Sequence, residues 1–242
     1  MNNYDKIYDV SKYLQLIKKS SCLAVIPARK GSKTIKNKNL KLLNGKPLIQ
    51  YSIEHALNSK KINNVLVTSD SQKILEIAKK LGAIPVLRPD NLSGDIIHPE
   101  PSVIHSLLEF LKIKRYMPQC TILLQPTSPI RKIENIDSSI EDILSEHYNS
   151  SISGTKTHYF IWEKDTNLNW NPPYGNKRPR RQDFHQITET GSFFAFNTIE
   201  FLKAGDRIIK PVNIIETPQE SSYEIDTQAD WEIMEALIRL KK

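Results

Sequence analysis

The sequence predicts an α/β fold with a mostly parallel sheet. Three observations carry that expectation. From residue 22 onward, short β-branched runs alternate with stretches of helical periodicity, the pattern of repeated βαβ units. The residues able to do chemistry fall directly after the strand-like runs, which is where open parallel sheets bind their ligands. The 242 residues, 39% hydrophobic and 25% charged, suffice for one sizeable core.

Residues 1–20 read as an N-terminal helical lead-in, amphipathic through Tyr8, Val10, Tyr13, Leu14 and Ile17, packed on a single domain over 21–242. Cys22 to Ile26 is the first buried strand, Leu48 to Leu57 a helix, Val65 to Thr68 a strand and Ile74 to Leu81 a helix. Val86 and Leu87 mark a further short strand, Val103 to Leu111 a helix, Thr121 to Leu124 a strand and Ile133 to Leu144 an amphipathic helix. After residue 150 the pattern loosens into aromatic and Asn/Pro-rich sequence, with Tyr159-Phe160-Ile161-Trp162 and Asn171-Pro172-Pro173-Tyr174-Gly175-Asn176. An inserted, protruding arm is expected over about 155–190. The rhythm resumes with strands at Ser192 to Phe196 and Pro211 to Ile215 and a closing helix from Trp231 to Leu240.

Composition narrows the function classes. No apolar run approaches the roughly 18–20 residues of a membrane helix, and the first twenty residues lack the apolar block of a secretion signal. Cys22 and Cys120 sit in or beside apolar runs, as buried thiols of a reducing compartment do, so a cytoplasmic protein is expected. The six histidines show no metal-ligand spacing, and no Ser/His/Asp or Cys/His set supports covalent catalysis. The net charge of +7 is local. Arg29, Lys30, Lys33, Lys36, Lys38, Lys41 and Lys46 lie in one segment without an acidic residue; removing these seven from the 34 Lys and Arg leaves 27, against 27 Asp and Glu. A nucleic-acid binder would spread its cations to track many phosphates.

The basic segment, from Ile26 to Asn39, joins a strand to a polar loop whose backbone N–H groups and cations suit a polyphosphate. It contains no Walker A pattern, and on composition alone a solvated charge run fits equally. Arg88 before Pro89 reads as a surface ion-pair partner when taken alone, and Asp70 as the cap of the helix that follows it. In Gln125-Pro126-Thr127-Ser128-Pro129 two prolines stiffen a strand exit, either as a sugar site or as a helix-capping turn. Lys177, Arg178, Arg180 and Arg181 could hold a phosphate, and a guanidinium also matches a carboxylate bidentately. Glu224 and Asp226 fall on one side of an extended segment, which suits Mg²⁺ or, with Thr227 and Asp230, an acidic helix N-terminus.

The loop Pro27-Ala28-Arg29-Lys30-Gly31-Ser32-Lys33-Thr34-Ile35-Lys36-Asn37-Lys38-Asn39 resembles the signature of the CMP-sialic acid synthetases, cytidylyltransferases that activate nonulosonic acids. Five further segments resemble the same family in the same order: Leu87-Arg88-Pro89, Leu124 to Pro129, Arg178 to Asp183, Glu189 to Phe193, and Glu224-Ile225-Asp226. The resemblance implies a Rossmann-like nucleotidyltransferase fold and a homodimer whose arms approach the partner's site. It implies that Arg29, Lys33 and Lys38 contact the CTP phosphates, that Ser32, Asn39 and Arg88 bind the nucleotide, and that Gln125, Ser128 and Arg180 bind the sugar, Arg180 at its carboxylate. Glu224 and Asp226 would hold Mg²⁺, with Arg29, Lys33, Lys38 and Asp226 serving the transfer itself.

The chain departs from the family at three places. Lys30 and Thr34 stand where glycine is usual, so a left-handed turn at Thr34 is in question, and Glu224 stands where aspartate is usual. No base-reading residue is assigned in Asp95 to Ser102, where Ser102 is either a cap or a contact. The expected reaction is attack of the sugar's anomeric hydroxyl on the α-phosphorus of CTP. N-acylneuraminate or a related sugar is the expected acid and legionaminate or 3-deoxy-manno-octulosonate the alternative, the octulosonate less favoured because Arg178 to Asp183 and Tyr159 to Trp162 resemble the sialic-type branch. A basic nucleic-acid-binding module is the distant alternative, and neither nucleic acid nor membrane is expected as a partner.

Overall fold

A computed structural model describes residues 10–32, 34–94, 98–172, 174–183 and 186–240. Of the expected helical lead-in, the described residues hold one turn, α1 (Ser11–Leu14), which buries Tyr13. Residues 1–9 lie outside the described residues. Ile17 already belongs to β1 (Ile17–Pro27) and pairs with Met117, so strand begins where helix is expected.

From Ser21 to Ile26 the side chains of β1 are buried on both faces. Period-two alternation divides them: Cys22, Ala24 and Ile26 point into one apolar layer, Leu23 and Val25 into the other. Each fully buried Leu, Val or Ile contributes about 1.5–3 kcal/mol, which makes this strand the axis of the molecule.

A short hairpin of β2 (Leu42–Leu43) and β3 (Lys46–Pro47) follows, turned by Asn44 and Gly45 with φ of 47° and 86°, the left-handed pair such a turn demands. Then come α2 (Leu48–Asn58), β4 (Asn64–Ser69), α3 (Gln72–Lys80) and β5 (Ile84–Leu87). Helix α4 (Pro99–Lys114) starts with proline at a position whose N–H would have no helical partner. After β6 (Met117–Leu124) and α5 (Ile133–Leu144), β7 (Ser150–Thr157) enters the sheet although its sequence, Ser-Ser-Ile-Ser-Gly-Thr-Lys-Thr, lacks apolar alternation. Its buried hydroxyls are satisfied instead: Ser151 Oγ donates to Asp142 at 2.7 Å and Ser150 Oγ to the Arg207 carbonyl at 2.7 Å.

The expected arm holds a separate pair, β8 (Glu163–Lys164) and β9 (Trp170–Asn171), with Tyr159, Ile161, Trp162, Leu168 and Trp170 exposed around it. Beyond it lie β10 (Gln186–Asn197), α6 (Thr198–Ala204), β11 (Val212–Glu216) and α7 (Gln228–Leu240). Asn197 caps α6 by accepting from Ile199 and Glu200 N–H at 3.0 and 3.1 Å.

The sheet order is β11-β7-β10-β6-β1-β4-β5, and within this sheet β10 alone runs antiparallel to its neighbours. Ile49, Ile53, Ile74 and Ile136 of α2, α3 and α5 cover one face, and Val103, Phe110, Ile199 and Phe201 of α4 and α6 the other. A third cluster of Ile35, Leu43, Leu48, Ile130, Ile225, Trp231 and Met234 anchors α7 beneath the loop after β1. No described helix is long and apolar enough to cross a membrane.

Candidate active site

A cavity of about 340 Å³ opens at the carboxyl ends of β1, β5 and β6, lined by the loops that leave them and by Asp226. This is the position expected of an open parallel sheet. From the β1 loop it takes Pro27, Arg29, Gly31, Ser32, Lys38 and Asn39; after β5, Arg88 and the stretch Leu92 to Gly94; from the start of α4, His98, Pro99 and Ser102; after β6, Gln125, Pro126 and Thr127.

The β1 loop is held by named bonds. Asn39 Nδ2 donates to the Arg29 carbonyl at 3.0 Å, and the Lys30 N–H donates to Asp70 Oδ1 at 2.6 Å. The left-handed residue of the loop is Asn37, with φ of 52°, while the Thr34 hydroxyl donates to the Asp226 carbonyl; the two departures from the family thus fall on a loop that closes by other means. Lys33 lies outside the described residues. Of the other cations, Lys41 sits 4.2 Å from the centre of the Trp231 ring and bonds Gln228, and Lys46 pairs with Glu54 at 2.8 Å, so both serve packing.

Arg88 is buried, contrary to its reading as a surface pair. Its Nε donates to Ser93 Oγ at 3.1 Å and its Nη1 to Ser102 Oγ at 3.4 Å, while Nη2 makes no hydrogen bond and stands 3.7 Å from Asp70. Burial lowers its pKa from the usual arginine value, Asp70 opposing. A buried guanidinium nitrogen without an acceptor is costly, and a ligand oxygen in the cavity would satisfy it. Asp70 therefore does not cap α3, whose N-cap is Ser71; it ties the β1 loop and Arg88 together. Ser102 does not cap α4, which begins at Pro99; it lines the cavity and accepts from Arg88.

After β6, Gln125 and Thr127 line the cavity, and the Thr127 hydroxyl has no partner. Ser128 is buried and does not line it. Arg180 is not brought to it either: the side chain is 75% exposed and donates to Asp183 at 2.7 Å. Ile225 and Asp226 are fixed from both sides. The Ile225 N–H donates to the Thr127 carbonyl at 2.9 Å, and Asp230 Oδ2 accepts from the N–H groups of Asp226 and Thr227 at 3.0 and 2.7 Å. Thr227 Oγ1 accepts from the Asp230 N–H at 3.2 Å, closing a capping box at the start of α7. These bonds hold the Asp230 carboxylate below its usual pKa.

Lys38 lies within this frame, donating to the Ile225 carbonyl at 2.6 Å and to Asp226 Oδ1 at 3.2 Å. Asp226, 71% exposed, offers a hard oxygen on the cavity. No described cluster of three acidic, His or Cys side chains exists, but Mg²⁺ commonly takes one or two carboxylates plus substrate phosphates, so the donor set fits. Glu224 is outside the cavity lining; its Oε1 accepts from the Gly191 N–H at 2.7 Å. Sequence reasoning missed Asp70 in this role, Thr127, Ser93, Gly94 and His98; polar residues following β5 were the available signal.

A cation-rich loop after the first strand, a buried arginine turned to the same cavity and an aspartate at its edge define a nucleotide-handling α/β protein. The chain belongs to the cytidylyltransferase family, whose profile matches residues 23–239, and the resemblance to the CMP-sialic acid synthetases is borne out. It is 32% identical to the CMP-N,N'-diacetyllegionaminic acid synthase of Legionella pneumophila, over 91% of this chain and 97% of that protein. Identity to the pseudaminic acid cytidylyltransferase of a Campylobacter jejuni strain is 30%, over 90% and 96%. Identity to N-acylneuraminate cytidylyltransferase B of Danio rerio is 32%, over 88% of this chain and 50% of that protein, so the chain spans half the length of the fish relative. Among solved structures, a CMP:2-keto-3-deoxy-manno-octonic acid synthetase complexed with CTP shares the fold, with a TM-score of 0.67 at 16% identity over 92% of this chain and all of that one.

Proposed function

We propose that the protein transfers the cytidylyl group of CTP to the anomeric hydroxyl of a nonulosonic acid, releasing diphosphate. The observation that carries this reading is buried Arg88, whose Nη2 makes no hydrogen bond, on a cavity shared with Arg29, Lys38 and Asp226. The sugar oxygen bonds to the α-phosphorus as the bond to the β-phosphate oxygen breaks, and the hydroxyl proton is lost to solvent. Such a transfer needs alignment and charge neutralisation more than a covalent group. Arg29, Lys38 and, in the same loop, Lys33 offset the charge gathering on the departing diphosphate, with Ser32 and Asn39 shaping the loop around it. Gln125 faces the acid. Asp226 would hold Mg²⁺, which when bound supplies a Lewis acid for the phosphate oxygens.

The arm supports a homodimer. Its exposed aromatic side chains form an apolar surface that a second copy would cover, and Arg180 on the same arm would meet the acid's carboxylate in the partner's cavity. The free, buried Cys22 and Cys120 agree with a cytoplasmic setting.

Diphosphate release measured with CTP and Mg²⁺ across N-acetylneuraminate, legionaminate, pseudaminate and 3-deoxy-manno-octulosonate tests the reading. Release with one of the first three is expected. Release with the octulosonate alone would move the substrate to another branch, and polynucleotide binding that CTP cannot displace, without release, would overturn the reading.

A further inference from the structure

We propose that Glu224 is a positioning residue for the acid-binding end of the cavity and not a metal ligand. Its carboxylate clamps Gly191, and Asp226 is then the described carboxylate left for a divalent cation. The inference deepens the proposed function and rests on it. It begins with a register change. Gln186 to Glu189 of β10 pair with Thr157 to Gly154 of β7, and Phe194 to Phe196 with Ile152 to Ser150. From Glu189 to Phe194 is five positions, while from Gly154 to Ile152 is two, so β10 carries three extra residues in a bulge containing Thr190, Gly191 and Ser192.

Side chains take up backbone groups drawn out of the ladder there. Ser153 Oγ donates to the Thr190 carbonyl at 2.9 Å and accepts from the Phe193 N–H at 3.1 Å. The Ser192 carbonyl accepts from Arg131 Nε at 3.0 Å and Nη2 at 2.8 Å. The Gly191 N–H goes to Glu224, whose carboxylate is pressed against the glycine: a Cβ at residue 191 would lie 2.5 Å from Oε1, 2.6 Å from Oε2 and 2.7 Å from Cδ. A Cβ here would displace the Glu224 carboxylate from the Gly191 N–H. The longer glutamate is what spans the distance to the bulge.

Glu224 and Arg131 act on the same bulge. Arg131 is buried, which lowers its pKa, and the charge of Glu224 opposes that shift. The same guanidinium donates to the Gln125 carbonyl and to Ser52 Oγ at 3.0 Å, so the bulge is tied through Arg131 to a residue of the cavity wall. The Asp226 carboxylate, two residues further, accepts from Lys38 instead.

Two substitutions separate the roles. Glu224→Gln keeps an oxygen for the Gly191 N–H but is a poor Mg²⁺ ligand; Glu224→Ala removes both. Mn²⁺ binding with CTP, read by electron paramagnetic resonance without any sugar, is expected to stay within about twofold of wild type in both variants and to weaken roughly tenfold or more in Asp226→Asn. The KM for the acid is expected to rise roughly tenfold in Glu224→Ala, with a smaller change in kcat, and to stay within about threefold of wild type in Glu224→Gln. Loss of Mn²⁺ in Glu224→Gln matching that in Asp226→Asn would overturn the proposal, as would an unchanged KM in Glu224→Ala. Failure of the parent reading shows differently, as wild-type protein that takes up neither CTP nor Mn²⁺.

Discussion

Arg131 offers the sharpest test of the framework under the cavity. Replacing it with Met keeps much of the side-chain volume and removes every donor. Three buried acceptors then lose their partner: the Ser192 carbonyl, the Gln125 carbonyl and Ser52 Oγ. At about 1–3 kcal/mol for each orphaned acceptor the gross cost is roughly 3–9 kcal/mol. Relief of a guanidinium that burial drives down to a pKa of about 9 offsets part of it. Breaking one side of a buried charged network nets about 3–5 kcal/mol, a large share of a domain's stability. Urea unfolding followed by Trp fluorescence measures this directly. With an m-value of about 2–3 kcal/mol/M, the midpoint should fall by roughly 1–2 M. A midpoint within about 0.3 M of wild type would show that the network bears no such weight.

The remaining predictions concern the site and its supports. Lys38→Ala and Asp226→Asn should each lower kcat by about 10²–10³-fold with an unchanged circular dichroism spectrum, and wild-type rates in either would remove it from the chemistry. Arg180→Ala should raise the KM for the acid roughly tenfold and leave that for CTP unchanged, as measured by steady-state kinetics. Thr227→Ala opens the capping box on α7 and should cost about 1 kcal/mol in denaturant unfolding. His55 is held neutral, its pKa driven from 6.5 to about 3 by burial first and then by the charges of Arg131 and Lys46. Since the folded pKa lies below the unfolded one, stability present above about pH 6.5 is lost as pH falls toward 3, amounting to about 2 kcal/mol between pH 7 and pH 5. The loss over that interval should be smaller by this amount in His55→Gln, and equal losses would refute the linkage.

What the sequence made legible was local. Helix α5 runs over the same residues, Ile133 to Leu144, that its periodicity marks, because one amphipathic face settles both ends. The cation-rich loop stood out because its charges are contiguous. Strand β7 escaped because its polar side chains are buried by bonding to Asp142 and Arg207, partners that only the folded sheet supplies. Asp70 read as a cap because capping is a neighbour effect, whereas its partners, Lys30 and Arg88, arrive from two other strand ends. Nothing adjacent to Arg131 announces three acceptors drawn from α2, the turn after β6 and β10. Glu224 and Asp226 looked equivalent at a spacing of two. The bulge that separates their roles lies more than thirty residues upstream.

The account turns on where CTP is cut. Phosphorus NMR of the wild-type protein with CTP, Mg²⁺ and the acid that supports diphosphate release reads this without a coupling enzyme. Equal amounts of free diphosphate and a new CMP phosphodiester are predicted, with no orthophosphate or CDP. Orthophosphate with CDP, or CTP left intact beside every acid tested, would contradict the assignment of this cavity to cytidylyl transfer.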